Sequence, residues 1–452
     1  MESKPEDSPP HPASRTERYL PEDARDRRTD AERDRDRVLY SAQFARLAEI
    51  TQVISPENGY VFHNRLTHSL KVAQIARRIS QNLLAQNKIL ARERPDLPDV
   101  AEAAALAHDL GHPPFGHAGE KELNRLVQDA GLPDGFEGNA QSFRILTKLA
   151  ASDALTTSVE PNTNEEYEDS VAGLNWSRQC LDAMMKYPWG HGENPNSREE
   201  KWGFYDSERE VAEWVRKGNP AFSRSLGAEI IDWADDITYA IHDLLDFFRA
   251  GSIPIERLRG NLSVEYLEFM NGVFRRKPDW TSSREEYKSA LTGIVENFPF
   301  TERVRFVDSS EHRRLLYQFS TDRIRTYVDA IKSESSPTNP EPVVTIERSA
   351  RRQVDILKQF TWHYIIEKPD LAMPQAGQRK AIRTVFRKLL LAARRREMHL
   401  FPIAVQDGFK ESEVEKFFGS GRNSEIRVVA DYIAGMTEKE VMRVFRTLEG
   451  QR

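Results

Sequence analysis

Apolar residues in this chain recur mainly at helical spacing. Leu39, Phe44, Leu47, Ile50 and Val53 form one stripe, and Leu66, Leu70, Val72, Ile75, Ala76 and Ile79 form the next. Val100 to Leu110 is alanine-rich and stops at Gly111-His112-Pro113-Pro114, a glycine/proline helix stop. Phe143 to Leu149 continues the helical pattern, and Leu226 to Phe248 predicts one long helix. Further helices follow over 255–452, with breaks expected near Ser333–Pro342 and Lys368–Gly377. Ser152 to Asp169 and Tyr187 to Gly203 are rich in Asn, Pro and Glu and predict loops. Strand signals are sparse, and Glu341–Ile346 is the best of them. The expectation is an all-α protein, a helical bundle with a C-terminal helical extension and few or no strands. Its division is expected at 1–33, a charged disordered tail, 34–260, a core, and 261–452, a helical region packed on that core.

Composition sharpens this picture. Residues 1–37 hold nine Lys/Arg and eleven Asp/Glu, too much charge to bury an apolar face, so they predict a solvated tail. The last part of it, Asp30 to Arg37, predicts the start of a helix. The 452 residues carry a net charge of −6, with 39% hydrophobic and 30% charged residues, which fits a globular protein and argues against a general nucleic-acid coat. No stretch approaches the roughly 18 apolar residues that span a bilayer, and the N-terminus has no apolar leader, so a cytoplasmic protein without membrane contact is expected. The single cysteine, Cys180, excludes internal disulfides and a cysteine zinc cage. Gly377 to Arg396 holds eight basic residues and no acidic one. That is the pattern of a solvated helix face, with a nucleotide or single-stranded nucleic acid as the weaker alternative.

Candidate chemistry concentrates in one segment. Three of the eleven histidines, His108, His112 and His117, fall within ten residues, beside Asp109 and Glu120. Imidazole and carboxylate together suit Mn²⁺, Fe²⁺, Ni²⁺ or Zn²⁺. His108 and Asp109 cannot fill a coordination shell alone. His68 and one of the aspartates in Asp232-Trp233-Ala234-Asp235-Asp236 are the further candidates. His117 and Glu120 lie three apart, a spacing that brings side chains together on a helical turn and suits a general acid/base dyad. Asp235, Tyr239 and Asp243, at i, i+4 and i+8, share one face of a regular helix. Arg65 precedes His68 by three and would face the same pocket.

A histidine, a His-Asp pair and a distant aspartate on helices resemble the signature of the HD phosphohydrolase superfamily. Arg65-Leu66-Thr67-His68-Ser69, His108 through Glu120, Phe136-Glu137-Gly138-Asn139-Ala140-Gln141, Ala234-Asp235-Asp236-Ile237-Thr238-Tyr239 and Tyr432-Ile433-Ala434-Gly435-Met436-Thr437 narrow the resemblance to the bacterial dGTP triphosphohydrolase family. Asp34-Arg35-Asp36-Arg37-Val38-Leu39-Tyr40-Ser41, Phe44-Ala45-Arg46-Leu47 and Thr51-Gln52-Val53 belong to the same series, which runs in order over roughly 33–440. The departures are Ala45, where an arginine is usual, and His63-Asn64-Arg65, where Arg-Thr-Arg is usual.

The resemblance implies an HD-domain helical bundle. It implies hydrolysis of a deoxynucleoside triphosphate (dNTP), dGTP favoured, to deoxynucleoside and inorganic triphosphate. It implies a divalent metal, Mn or Mg foremost, with Fe, Ni and Zn as alternatives, held by His68, His108, Asp109 and Asp235. Such an ion polarises the α-phosphate and activates water. His117, Glu120 and His112 are then the catalytic candidates. Gln52 and Asp243 are expected at the 3′-hydroxyl, Tyr239 at the sugar, and Arg65 at phosphate, with Arg46 a weaker candidate. Relatives assemble as tetramers or hexamers, and some are activated by a dNTP at a second site, so a homo-oligomer with such a site is expected. The rival readings are another HD-superfamily phosphohydrolase, a nucleotidase or phosphodiesterase, and a nucleotide sensor without turnover.

Overall fold

Helices form where the apolar stripes lie. Arg65–Gln86 starts at Asn64, whose side chain accepts the Thr67 amide, and buries Val72, Ile75, Ala76, Ile79 and Leu83 along one face. Leu97–Ala107 is buried almost all round, because small alanines let neighbouring helices come close. Leu226–Thr238 packs against both, and these three helices form the centre of the molecule. The computed structural model describes residues 15–20, 22, 27–52, 64–150, 173–195, 201–260, 262–336, 339–367, 369–417 and 424–451. The polar stretch Ser152–Asp169 lies outside these.

Among the described residues the chain is helical, apart from isolated bridges and one two-stranded antiparallel sheet. The sheet pairs Ile331–Ser336 with Asn339–Ile346, with Ile331 opposite Ile346. It therefore includes the strand expected at Glu341–Ile346 and adds a partner where only a break was expected. The break expected at Lys368–Gly377 is replaced by a helix, Pro369–Arg394. Its first residue is a proline, which a first helical turn tolerates, and Pro374 lies within it. The long helix expected over Leu226–Phe248 runs as Leu226–Thr238, a π-helical turn at Tyr239–Asp243, and Leu244–Arg249.

Two apolar cores result. One runs from Ala31 to Ile365 and holds the central helices. The other joins Phe115, Leu123, Leu126, Val127 and Phe136 to the helices Pro369–Arg394, Ser424–Gly435 and Glu438–Leu448. Leu110 belongs to the first core and Phe115 to the second. The histidine-rich loop between them is thus anchored at each end in a different core.

Within the charged stretch 1–37, Asp30–Leu39 is a helix with Thr29 and Glu32 as a capping box. Its Asp34 is fully buried and receives Arg18 Nη1 at 2.7 Å and the Ser177 amide at 2.9 Å. Arg18 and Ser177 also form an isolated bridge. Ion pairing, with the Tyr19 ring edge-on against Trp214 at 5.5 Å, therefore docks residues near 18 onto the fold.

Candidate active site

The three central helices bring together four side chains that are far apart in sequence. His68 is buried on the first turn of Arg65–Gln86, with Nε2 3.1 Å from Asp235 Oδ1 on Leu226–Thr238. His108 caps Leu97–Ala107, and Asp109 follows it. His108 Nδ1 is 2.6 Å from the Ala105 carbonyl. This hydrogen bond fixes the ring so that Nε2 faces the carboxylates. Nε2 is 3.6 Å from Asp109 Oδ1 and 3.9 Å from Asp235 Oδ1. Donor atoms of His68, His108 and Asp109 lie within 4.8 Å of one another, near enough for one ion to reach all three.

Electrostatics keep both carboxylates ionised. Burial alone would raise the pKa of Asp109, but His108, Arg65 and His112 more than offset it and hold the group well below the usual range. Burial likewise opposes ionisation of Asp235. There Lys186, the hydrogen bond from His68, and the charge of His108 hold its pKa far below the ordinary value. Lys186 Nζ is 3.3 Å from Asp235 Oδ2 and 2.8 Å from Asp232 Oδ1.

His112, His117 and Glu120 form a second group, with donor atoms also within 4.8 Å of one another. His112 Nδ1 is 3.0 Å from Asp109 Oδ1, which joins the two groups. Glu120 is buried and accepts from the Gly138 amide and from Lys201, each at 3.1 Å. Burial opposes its ionisation, yet Lys201, His112 and His117 bring its pKa down to about 2. No hydrogen bond joins His117 to Glu120 among the described residues. His117 keeps an edge open to solvent, while the surrounding protein lowers its pKa below the ordinary imidazole value; Glu120 pulls the other way. The loop that carries these groups depends on glycine. Gly116 takes φ +53°, and a Cβ on Gly119 would sit 2.0 Å from the Pro114 carbonyl.

The polar wall beside the four donors is only partly satisfied. Arg65 is 1% exposed and spends Nη1 on Asp109 Oδ2 at 2.8 Å. Its Nε and Nη2, Gln52 Oε1 and Asp243 Oδ2 are buried with no hydrogen-bond partner among the described residues. Buried polar atoms left open in this way mark a site for a polar ligand. Tyr239 opens the π turn and Asp243 closes it. Burial raises the pKa of both, and Asp243 adds to the rise at Tyr239. Arg46 stands apart: Nη1 donates to the Met436 carbonyl at 3.1 Å, and Nη2 to those of Leu110 and His112 at 2.8 Å each. Its terminal nitrogens thus act as a clamp on the backbone.

The donor atoms of His68, His108 and Asp109, backed by open polar atoms, fit a divalent cation, and Asp235, 3.1 Å from His68, stands beside them. Sequence reasoning missed Lys186, Lys201, Glu137 and Glu438. Lys201 also reaches Glu137 Oε1, at 2.8 Å. Both lysines fall in the aperiodic segment Tyr187–Gly203 or at its edge, where spacing carries no signal. Within the basic stretch 377–396, Arg383 pairs with Glu122, Lys388 with Glu449 and Arg394 with Glu425. No helix among the described residues is long and apolar enough to cross a membrane.

Comparison with known proteins agrees with this geometry. Residues 65–240 match the HD domain, and residues 344–447 match the phosphohydrolase-associated domain. The helical fold and the His/Asp cluster thus define an HD-domain phosphohydrolase. Deoxyguanosinetriphosphate triphosphohydrolase-like proteins align along almost the whole length. That of Corynebacterium glutamicum strain R is 32% identical over 444 residues, covering 96% of this chain and 95% of the relative. That of Corynebacterium efficiens is 34% identical over 438 residues, covering 94% and 92%. That of Streptomyces coelicolor is 32% identical over 469 aligned residues, covering 100% of each. The chain belongs to this family of deoxyguanosinetriphosphate triphosphohydrolase-like proteins.

Proposed function

We propose that this phosphohydrolase is a divalent-metal-dependent dNTP triphosphohydrolase. It acts on dGTP by preference and releases deoxynucleoside and inorganic triphosphate. The observation that carries the reading is the convergence of His68, His108, Asp109 and Asp235 beside Arg65, whose Nε and Nη2 lack partners among the described residues. Mn²⁺ or Mg²⁺ is the first candidate for the ion, with Fe, Ni and Zn as alternatives for the same donors. When bound, such an ion supplies positive charge at the α-phosphate and makes water a better nucleophile.

The side chains divide the remaining work. Arg65 offers its open guanidinium nitrogens to phosphate oxygens, and His112 is a second phosphate contact. Water adds to the α-phosphorus and the bond to the 5′-oxygen breaks, so that oxygen must gain a proton. His117 is the donor in this reading. The charge of a bound triphosphate favours its protonated form, which the surrounding protein otherwise disfavours. Glu120, ionised and held by Lys201 and Gly138, stabilises that imidazolium. Asp243 and Gln52, with open buried oxygens, suit the 3′-hydroxyl, and Tyr239 on the same turn suits the sugar face. The homo-oligomer, a tetramer or hexamer, and the activating dNTP at a second site belong to the same proposal.

Purified protein incubated with each dNTP and with GTP, singly and mixed, with and without Mn²⁺, tests it. Anion-exchange chromatography is expected to resolve inorganic triphosphate and deoxynucleoside. Orthophosphate or pyrophosphate as first product would assign another phosphohydrolase, and binding without turnover a sensor.

A further inference from the structure

We propose that Glu438 is a positioning residue of the active site. In this proposal its carboxylate ties the segment carrying Gln52 to the segment carrying His117, and so makes the geometry of the site depend on the C-terminal helices. Oε1 accepts the Thr51 amide at 2.8 Å and the Phe115 amide at 3.2 Å, while Oε2 accepts the Thr51 hydroxyl at 2.9 Å. Gln52 follows Thr51, and Gly116 and His117 follow Phe115. The two segments meet directly, since a Cβ on Gly116 would lie 3.3 Å from the Thr51 carbonyl and 3.5 Å from Arg65 Nη2.

A second clamp acts two residues earlier. The Met436 carbonyl accepts from Arg46, which also holds the Leu110 and His112 carbonyls. Residues 436–438 therefore grip both ends of the loop that carries His112 and leads into His117. The loop needs such support, because Phe115 adopts φ +67°, a left-handed conformation that a bulky residue keeps only when its surroundings fix it.

The bland reading is that an acidic residue at a helix start simply suits the helix dipole. Against it, this helix already has a full capping box between Thr437 and Glu440. Both Glu438 oxygens reach away from the helix to other parts of the chain.

The inference rests on the proposed hydrolysis, so the test pairs an activity with a readout independent of it. Full-length wild type, Glu438→Ala and Glu438→Gln are compared for kcat and KM on dGTP, for Mn²⁺ affinity, and for amide hydrogen exchange followed by mass spectrometry. Glu438→Ala is expected to lower kcat/KM by roughly 10- to 100-fold, chiefly through kcat, because a small misplacement of catalytic groups costs that much. Mn²⁺ affinity stays unchanged, since the four candidate ligands sit on other elements. Exchange rises at Thr51 and Phe115 and not in Leu97–Ala107. Glu438→Gln, which keeps an acceptor oxygen for the two amides, recovers most of the activity. Wild-type kcat/KM and exchange in Glu438→Ala would overturn the proposal. So would a loss that Glu438→Gln shares in full, or one that accompanies only a general loss of stability. If the wild type turns over no nucleotide, the functional reading fails, and the exchange data alone decide whether Glu438 holds the two segments.

Discussion

Asp243 is a carboxyl buried in the first core's polar wall. Burial, then the nearby charges of Asp246 and Asp235, raise its pKa well above the ordinary carboxyl value. A group whose folded pKa is raised stabilises the fold when protonated, and that contribution is lost as pH rises through the folded value. Asp243→Asn keeps the shape of the protonated acid and removes the titration. In metal-free protein it is expected to match wild-type stability near pH 4 and to exceed it at pH 7 by on the order of 2 °C in Tm, read by scanning calorimetry. Hydrolysis should fall in the same variant if Asp243 meets the substrate's 3′-hydroxyl, the usual conflict between stability and function. An unchanged Tm difference across that pH range would contradict the account of its burial.

Elements, in turn, decide where such residues point. The clustering of His108 and Asp109, with His68 as a further candidate, was legible in the residues; which aspartate of Asp232, Asp235 and Asp236 joins them was not, and only the family resemblance pointed to Asp235. The shared face of Asp235, Tyr239 and Asp243 was legible only in part: spacing assumes regular turns, whereas Tyr239–Asp243 is a wider π turn, a feature common at functional sites. Glycine and proline around the histidines were read as a helix stop, and here they do more. Gly119 lets the Pro114 carbonyl approach the Gly116–Ala130 helix, where a Cβ would sit 2.0 Å away. Gly119→Ala is therefore expected to cost about 1–3 kcal/mol of stability, the usual toll of overpacking. It should also lower kcat at least roughly tenfold, because His117 is on the same turn. Thermal unfolding and steady-state kinetics check both, and wild-type values would contradict the loop geometry.

On the scale of the whole molecule, two cores meet at a polar seam. Arg144 on Gly138–Arg144 is buried and bonds Glu208 and Asp431, the latter through Nη2 at 2.9 Å and Nε at 3.0 Å. A cleft of about 1400 Å³ runs along this seam, lined by Arg144, Arg427, Asp431, Tyr432 and Met436, apart from the His/Asp cluster. Arg144→Ala would leave the buried Glu208 carboxylate and the half-buried Asp431 carboxylate without their shared cation, at a cost of about 3 kcal/mol or more. Chemical denaturation should show that loss, and a change under about 1 kcal/mol would mean that water solvates the seam. None of this was legible from periodicity, because partners such as Arg144 and Asp431 stand 287 residues apart. Nor was the docking of Arg18 on Asp34, where composition pointed to solvent and burial of matched charge decides instead.

The central claim is that His68, His108, Asp109 and Asp235 together hold one divalent cation. Anomalous diffraction at the manganese edge, from crystals grown with Mn²⁺, tests it most directly. A single strong peak per chain is expected, bonded to all four of these side chains and lost in Asp235→Ala. A peak at His112, His117 and Glu120 instead, or one bonded to His108 and Asp109 without His68 and Asp235, would contradict it.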